Sequence, residues 1–294
     1  MHFDPHHLTA LAAILRQGSF ERAAAELSVT PSAISQRIKA LEDRIGTPLI
    51  QRGAPCTGTE AGLRLAKHAE DVGLLEAQLN RDLSLEGGPS PARLRIAVNA
   101  DSLATWFVQA MAGCDGVLFD LVIDDQDHSA DWLRRGEVSA AVSARDSAVT
   151  GCDALPLGTM RYHATASPDF VSRWFAEGVT AETLNAAPCL VFNAKDRLQR
   201  DWIEAQTGAK LSPPCHFLPS SQGFIEAARR GLGWGMNPEA LVRGPLRNGR
   251  LVELVPGACL DVPLTWQVSR IMAPALAPVT QAVREAAQKG LVQD

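Results

Sequence analysis

Two groups of polar residues in this chain of 294 residues are of types and spacings that could do chemistry. The first is local. Ser32, Ser35, Gln36, Arg37 and Lys39 crowd the first half of one helical stretch, where hydroxyls, an amide and cations can meet base edges and phosphates in the major groove of DNA. The second is scattered. Asn99, Asp101 and Ser102 follow one apolar run, Asp124, Asp125 and Asp127 follow another, and Ser143, Ser221 and Gln222 stand at further strand or loop ends. Hydroxyls and amides placed where a strand ends and a helix begins suit an anion such as a carboxylate. The aspartates add acidity to the set. Taken singly, each serine is more simply a helix cap and each aspartate a solvated loop residue, so their joint placement carries the reading.

No catalytic constellation accompanies these groups. A Gly-x-Ser-x-Gly elbow, a phosphate loop, a His-Glu-x-x-His pair and a nucleophile–base pair are all missing, and an enzyme is not expected. The cysteines, Cys56, Cys114, Cys152, Cys189, Cys215 and Cys259, lie far apart without a Cys-x-x-Cys pair. Isolated thiols are therefore expected rather than a zinc site or a disulfide framework. His6 and His7 fall at a helix start and read as exposed residues rather than ligands. No metal and no cofactor is expected.

The first polar group needs helices to present it. Asp4 can cap a helix that Pro5 opens, Leu8, Leu11, Ala12 and Leu15 make one apolar stripe, and Gly18 supplies the stop. Ser19 caps a second, short helix with Phe20, Ala23, Ala24 and Leu27 on one face. Thr30 and Pro31 open a third, whose Ile34, Ile38, Leu41 and Ile45 point inward and which Gly46 ends. Two readings fit this period equally: a helix-turn-helix, or a three-helix packing unit with a solvated face. Thr59 then caps a helix running to about Leu85. Its seam of Leu65, Ala69, Val72, Leu79 and Leu83, with Glu76 inside the stripe, follows the 3.5-residue period of paired helices. A lone amphipathic helix packed on its own domain fits the same short run. Glycines and prolines from Glu86 to Pro91 end it and mark a boundary.

The second group needs strands. LRIAV, LFDLVI, VSAAVS, YHATAS, CLVF and LTWQVS alternate with helical stretches, which argues for parallel α/β layers. Composition agrees with compact domains, since 46% of residues are hydrophobic and 21% charged, and the length suits two or three units. No stretch of about eighteen apolar residues appears, and the first twenty residues lack an apolar leader core, so a cytoplasmic protein without membrane contact is expected. The net charge of −5 is unusual for a DNA binder. Residues 1–60 are neutral, with Arg16, Arg22, Arg37, Lys39, Arg44 and Arg52 against Asp4, Glu21, Glu26, Glu42, Asp43 and Glu60. That counts against charge-driven binding and leaves room for a dimer with a few cations on one surface.

The stretch SFERAAAELSVTPSAISQRIKALEDRIGTPLIQR resembles the signature of LysR-type transcriptional regulators. In that family Ala-Ala precedes Leu, Ser-Ala-Ile-Ser opens the recognition helix, and Leu-Glu then Gly-x-Pro-Leu leads into a wing. Thr59-Glu60-Ala61-Gly62 resembles the family's Thr-x-Ala-Gly motif. The resemblance implies an α/β protein in three parts: a mainly helical winged helix-turn-helix at 1–58, a linker and dimerisation helix with hinge at 59–91, and an effector-binding domain at 92–294. The last is expected to look like a periplasmic binding protein, with subdomain I at 92–163 and 267–294, subdomain II at 164–266, crossovers near Ala164 and Trp266, and a ligand cleft between them. Ser32, Ser35 and Gln36 would face bases and Arg52 the DNA backbone, although Gly53, Ala54 and Cys56 stand where other members often carry basic residues. A homodimer or homotetramer on double-stranded operator DNA is implied, with RNA polymerase a further candidate partner. A solute-binding protein would share the cleft but has no use for a helix-turn-helix.

The segment from Val98 to Trp106, with LRRGEVSAAVS, PSSQGF after PCHF, and VTAETLNAAP, is similar to the branch of this family named ArgP or LysG, which responds to basic amino acids and controls a basic-amino-acid exporter. That resemblance implies a lysine or arginine effector, whose carboxylate would meet donors around Ser102 and whose distal cation would meet the acidic cluster. Members often carry Glu at the positions of Asp124 and Gln126. The alternative within the family is a regulator of another pathway with a different small effector.

Overall fold

The computed structural model describes residues 2–83, 91–124, 129–144 and 147–293. Asp125 and Asp127 of the acidic run lie outside the described residues, as do residues 84–90, which include the expected helix end near Leu85.

The N-terminal unit is built as its caps and stripes dictate. Helix α1 (Pro5–Gln17) starts where Asp4 accepts from the His6 amide and stops at Gly18, whose φ of 64° suits a residue without Cβ. Helix α2 (Phe20–Glu26) is capped by Ser19, and α3 (Pro31–Ile45) by Thr30, which accepts from the Ala33 amide. Leu8, Leu11, Ile14, Ala23, Ala24, Ile34, Ile38 and Leu41 bury their stripes against one another in a single core. A wing of two short antiparallel strands, β1 (Ile50–Gln51) and β2 (Thr57–Gly58), follows. The Cys56 amide donates to the Gly18 carbonyl over 2.9 Å and fastens the wing to the turn between α1 and α2.

Helix α4 (Glu60–Asp82) joins the two cores. Thr59 caps it, accepting from the Gly62 amide and donating to the Pro48 carbonyl. Gly62 is where α4 rests on the wing, because a Cβ there would overlap the Leu49 carbonyl. Farther along, Leu74 enters the core of the C-terminal domain, and the Ser139 hydroxyl donates to Asp71 over 3.2 Å. Asp71 also pairs with the buried Lys67, and burial holds the neighbouring Glu70 carboxyl above its ordinary value.

The C-terminal domain begins with β3 (Ala92–Val98), then a helical segment made of α5 (Ala100–Ser102), a wider π turn at Leu103–Phe107, and α6 (Val108–Ala112). There follow β4 (Val117–Ile123), α7 (Ser129–Arg134), β5 (Ala140–Ser143) and the long β6 (Cys152–Ala166). The second half holds α8 (Pro168–Trp174), α9 (Ala181–Ala186), β7 (Cys189–Val191), α10 (Leu198–Thr207), β8 (Cys215–Phe217), α11 (Ser221–Arg229), β9 (Gly235–Pro238), α12 (Glu239–Arg247) and β10 (Val252–Glu253). The chain returns through β11 (Cys259–Ser269) and closes with α13 (Ala277–Gly290).

All six apolar runs are strands, but the sheet is mixed rather than parallel throughout. β3 pairs in parallel with β4 and β5, and β7 with β8, while β6, β9, β10 and β11 pair antiparallel in the order β10-β6-β11-β5-β3-β4, with β9 on β6. The two crossovers are long strands instead of points. β6 and β11 run side by side through both halves, and their register shifts between Leu264 and Thr265, opposite Gly158 at φ 116°. That irregularity lies earlier in β6 than Ala164 and close to Trp266 in β11. The first half of β6, and β8, β9 and β10, carry no long apolar run and were not legible as strands.

All six cysteines are free thiols, but this topology corrects the expectation that each is isolated. Parallel pairing of β7 and β8 sets Cys189 opposite Cys215, with the sulfurs 3.3 Å apart. No spacing rule links them, because β8 is three residues long and exposed.

Candidate effector-binding cleft and nucleic-acid interface

A cleft of about 500 Å³ opens between the halves of the C-terminal domain. Asn99, Ala100 and Asp101, where β3 gives way to α5, and Asp124, at the end of β4, form one wall. Phe192, Asp196 and Leu198 after β7, Ser221 and Phe224 of α11, and Met236, Asn237 and Pro238 of β9 form the other. Strand ends and helix starts converge here because the sheet aims their carboxyl ends at one place.

Three carboxylates dominate its electrostatics. Asp101 accepts from the Ser221 hydroxyl over 2.6 Å and from the Tyr162 hydroxyl over 3.0 Å, which ties the two walls together. Asp124 accepts from the Trp132 indole over 2.9 Å and from the Lys195 ammonium over 3.3 Å, a second tie across the cleft. Asp196 is buried, and burial holds its carboxyl above its ordinary value although the Phe192 and Leu198 amides donate to it. The floor is rigid. Trp202 and Trp234 are both fully buried, their rings 5.4 Å apart, and Gly235 lies so close to Phe224 that a Cβ would stand 2.5 Å from its ring.

Of the residues singled out in the sequence, Asn99, Asp101, Asp124 and Ser221 line this cleft. Ser102 and Ser143 do not. Ser102 is fully buried in the helical segment, its hydroxyl without a hydrogen bond among the described residues, and Ser143 is buried in β5. Gln222 is exposed on α11, and Asp125 lies outside the described residues. Asp196, Lys195, Phe192, Phe224 and Asn237 were missed. The CLVF run followed by a polar stretch could have pointed to Asp196 by the same strand-end argument that picked Asp124.

On the N-terminal unit, Ser32, Ser35, Gln36 and Lys39 are exposed on α3 and Arg37 is half-buried. Ser35 donates back to the Pro31 carbonyl over 3.0 Å, so it can turn outward only by giving that bond up. Arg52 lies over the Phe20 ring, 5.7 Å from its centre, and lines a groove with Arg22, Gly18 and Pro55. Arg22 is thus a second cation beside the wing that the sequence left unassigned. Along α4, Leu65 and Ala69 pack on the N-terminal unit's own core, Val72 is half-buried, and Leu79 and Leu83 are 56% and 58% exposed, with Leu75 beside them at 40%. The seam therefore splits. Its first part meets the interior reading of an amphipathic helix, and its second part is an apolar edge exposed among the described residues.

A helix-turn-helix with a wing, a joining helix and a two-lobed α/β domain with a polar cleft define a ligand-responsive regulator of transcription. The chain belongs to the LysR family: the family's regulatory helix-turn-helix matches residues 5–63 and its substrate binding domain residues 87–289. It is 44% identical over 295 residues to the transcriptional regulator ArgP of Pseudomonas aeruginosa, covering 99% of this chain and 98% of that one. The crystal structure of ArgP from Mycobacterium tuberculosis superposes with a TM-score of 0.80 at 43% identity over the whole of both chains. Full-length LysG from Corynebacterium glutamicum with bound effector Arg is also similar, with a TM-score of 0.66, 38% identity and coverage of 99% and 100%. The relatives are regulators, not enzymes, and no helix among the described residues is long and apolar enough to cross a membrane.

Proposed function

We propose that this regulator binds operator DNA as a dimer or dimer of dimers, responds to lysine or arginine, and controls an amino-acid exporter gene. The observation that carries the effector class is that Asp124 already holds an ammonium in the cleft, that of Lys195, with Asp101 and Asp196 lining the same space. Such a site suits a ligand with two cationic ends and one carboxylate. The side-chain cation would meet Asp124 and Asp196, the α-ammonium Asp101, and the carboxylate the amides at the starts of α5 and α11. This moves the carboxylate contact from Ser102 to the backbone beside it and to Ser221. The effector Arg bound in the structure of the Corynebacterium relative supports the class, and the sequence likeness to the exporter-controlling branch supports the target. In this reading Ser32, Ser35, Gln36, Arg37 and Lys39 read the operator with Arg52 on its backbone, and the exposed leucines of α4 pair with a second copy. Domain bounds of 1–58, 59–91 and 92–294 follow the same division.

Calorimetric titration with arginine, lysine and norleucine, whose side chain is a four-carbon chain without the terminal ammonium, tests it. Arginine or lysine should bind at least tenfold more tightly than norleucine, and Asp124→Asn should narrow that gap. Equal affinities for all three, or no binding of either cation, would sink the basic-amino-acid reading while leaving the family untouched.

A further inference from the structure

We propose that Cys189 and Cys215 form a redox-modifiable dithiol at the root of the effector cleft, converted to an intramolecular disulfide by a hydroperoxide. The geometry is local and independent of which effector binds. Directly opposed residues of a parallel pair project from the same face of the sheet, and the two sulfurs are already 3.3 Å apart. A disulfide needs about 2.05 Å between sulfurs and Cα atoms about 4.4–6.8 Å apart, a range that contains the ~4.8 Å spacing of neighbouring strands. Closing the bond thus asks for just over an ångström of side-chain movement and no new backbone path. Cys215 also donates to the Pro213 carbonyl over 3.1 Å, and elsewhere Cys56 meets the Gly53 carbonyl and Cys114 that of Ala110.

The two thiols are unequal, which orders the chemistry. Cys215 is exposed and Cys189 is buried behind it, with burial raising the Cys189 thiol so that it stays protonated. The oxidant therefore meets Cys215 first. The peroxide O–O bond breaks, Cys215 becomes a sulfenic acid, and the peroxide leaves as its alcohol, or as water from hydrogen peroxide. The Cys189 sulfur then attacks the Cys215 sulfur. An S–S bond forms, the S–O bond breaks, and the departing hydroxide takes the Cys189 proton as water. Two hydrogens and two electrons leave the protein, and a dithiol reductant returns them. The location matters, because β7 leads directly to Phe192 and Asp196, and β8 leads through Leu218, whose amide donates to the Val191 carbonyl over 2.9 Å, to Ser221. The bond would close at the base of both segments.

The test uses the full-length protein treated with a small molar excess of hydrogen peroxide, alkylated, and digested without reduction. Mass spectrometry should find a Cys189–Cys215 linked peptide, two hydrogens lighter than its reduced parts, that disappears after dithiothreitol. In C215S, whose exposed position spares the core, the linked peptide should fall to background while circular dichroism stays unchanged. In C189A, Cys215 should run on to the sulfinic acid. Wild-type Cys215 reaching sulfinic acid with Cys189 still alkylatable would overturn the proposal. So would a Cys215 bond between two chains on a non-reducing gel.

Discussion

The helix-turn-helix and the effector cleft solve the same problem, presenting polar groups to a ligand, in opposite ways. In the N-terminal unit the presenting residues other than Arg52 lie within one helix, α3, and that helix is set by its own cap, stripe and stop. In the cleft they come from the starts of α5 and α11, the end of β4, the segment after β7 and the end of β9. A local site survives many changes elsewhere in the fold. A convergent one depends on packing far from the ligand, because small shifts of its supports misplace several groups at once.

The largest break in that contrast should come from Trp234→Ala beneath the cleft. Emptying a fully buried indole next to Trp202 should cost the C-terminal domain about 3–5 kcal/mol. Scanning calorimetry should show its transition fall while that of the N-terminal unit holds; a shared fall would mean that α4 welds the two into one cooperative unit. Gly62→Ala comes next. Although alanine favours helix, the Cβ would overlap the Leu49 carbonyl, and overpacking of this kind costs about 1–3 kcal/mol. A melting point that rises instead would show that the joint between wing and linker yields.

For the local site, Gln36→Ala should lose discrimination of about 1–3 kcal/mol between operator and mismatched DNA, with little change in melting point. Arg52→Ala should instead weaken all sequences alike and flatten the salt dependence of binding. A gel-shift titration in which both variants match the wild type would remove this face from the interface. In the cleft a smaller effect of opposite sign is expected from Lys195→Ala. Its ammonium competes for Asp124 from a side chain 53% exposed, so removal should tighten arginine binding only a few-fold, in the range of about 0.2–1 kcal/mol that such pairs carry. Weaker binding would make Lys195 part of the closed grip instead of a competitor.

The smallest effect concerns pH. Burial raises the Asp196 carboxyl above 3.8 in the folded protein, so a cation prefers the ionised form and drives a proton off. Arginine affinity should therefore rise with pH up to the raised value and level off above it. By the same sign, the folded state holds the proton longer than the unfolded chain, and stability from this group falls as pH rises from 3.8 through the raised value. Titration in buffers of different ionisation enthalpy should register proton release on binding; uptake would place Asp196 outside the cation's contacts.

How much was legible follows from range. The caps Asp4, Ser19, Thr30 and Thr59 and the stops Gly18 and Gly46 act within a turn of themselves, so the elements they bound could be read from the chain alone. The strand-end rule found Asn99, Asp101, Asp124 and Ser221, because a polar residue after an apolar run sits near a sheet's edge in most α/β packings. That rule is blind to depth. Ser102 and Ser143 satisfy it as well as Asp101 does, and only the packing of the helical segment and of β5 buried them.

What the amino-acid order determined by itself was therefore local: which stretches form helices and strands, where they begin and end, and the family they match. Tertiary structure alone decided which halves of those elements meet. It turned Leu65 and Ala69 toward the DNA-binding core and left Leu79 and Leu83 outside, brought Asp196 and Lys195 opposite Asp124, and set two distant cysteines side by side. The physical reason is that caps and periodicity act through bonds a few residues apart. Burial and charge pairing act through space, and their partners are chosen only when sheets and helices pack.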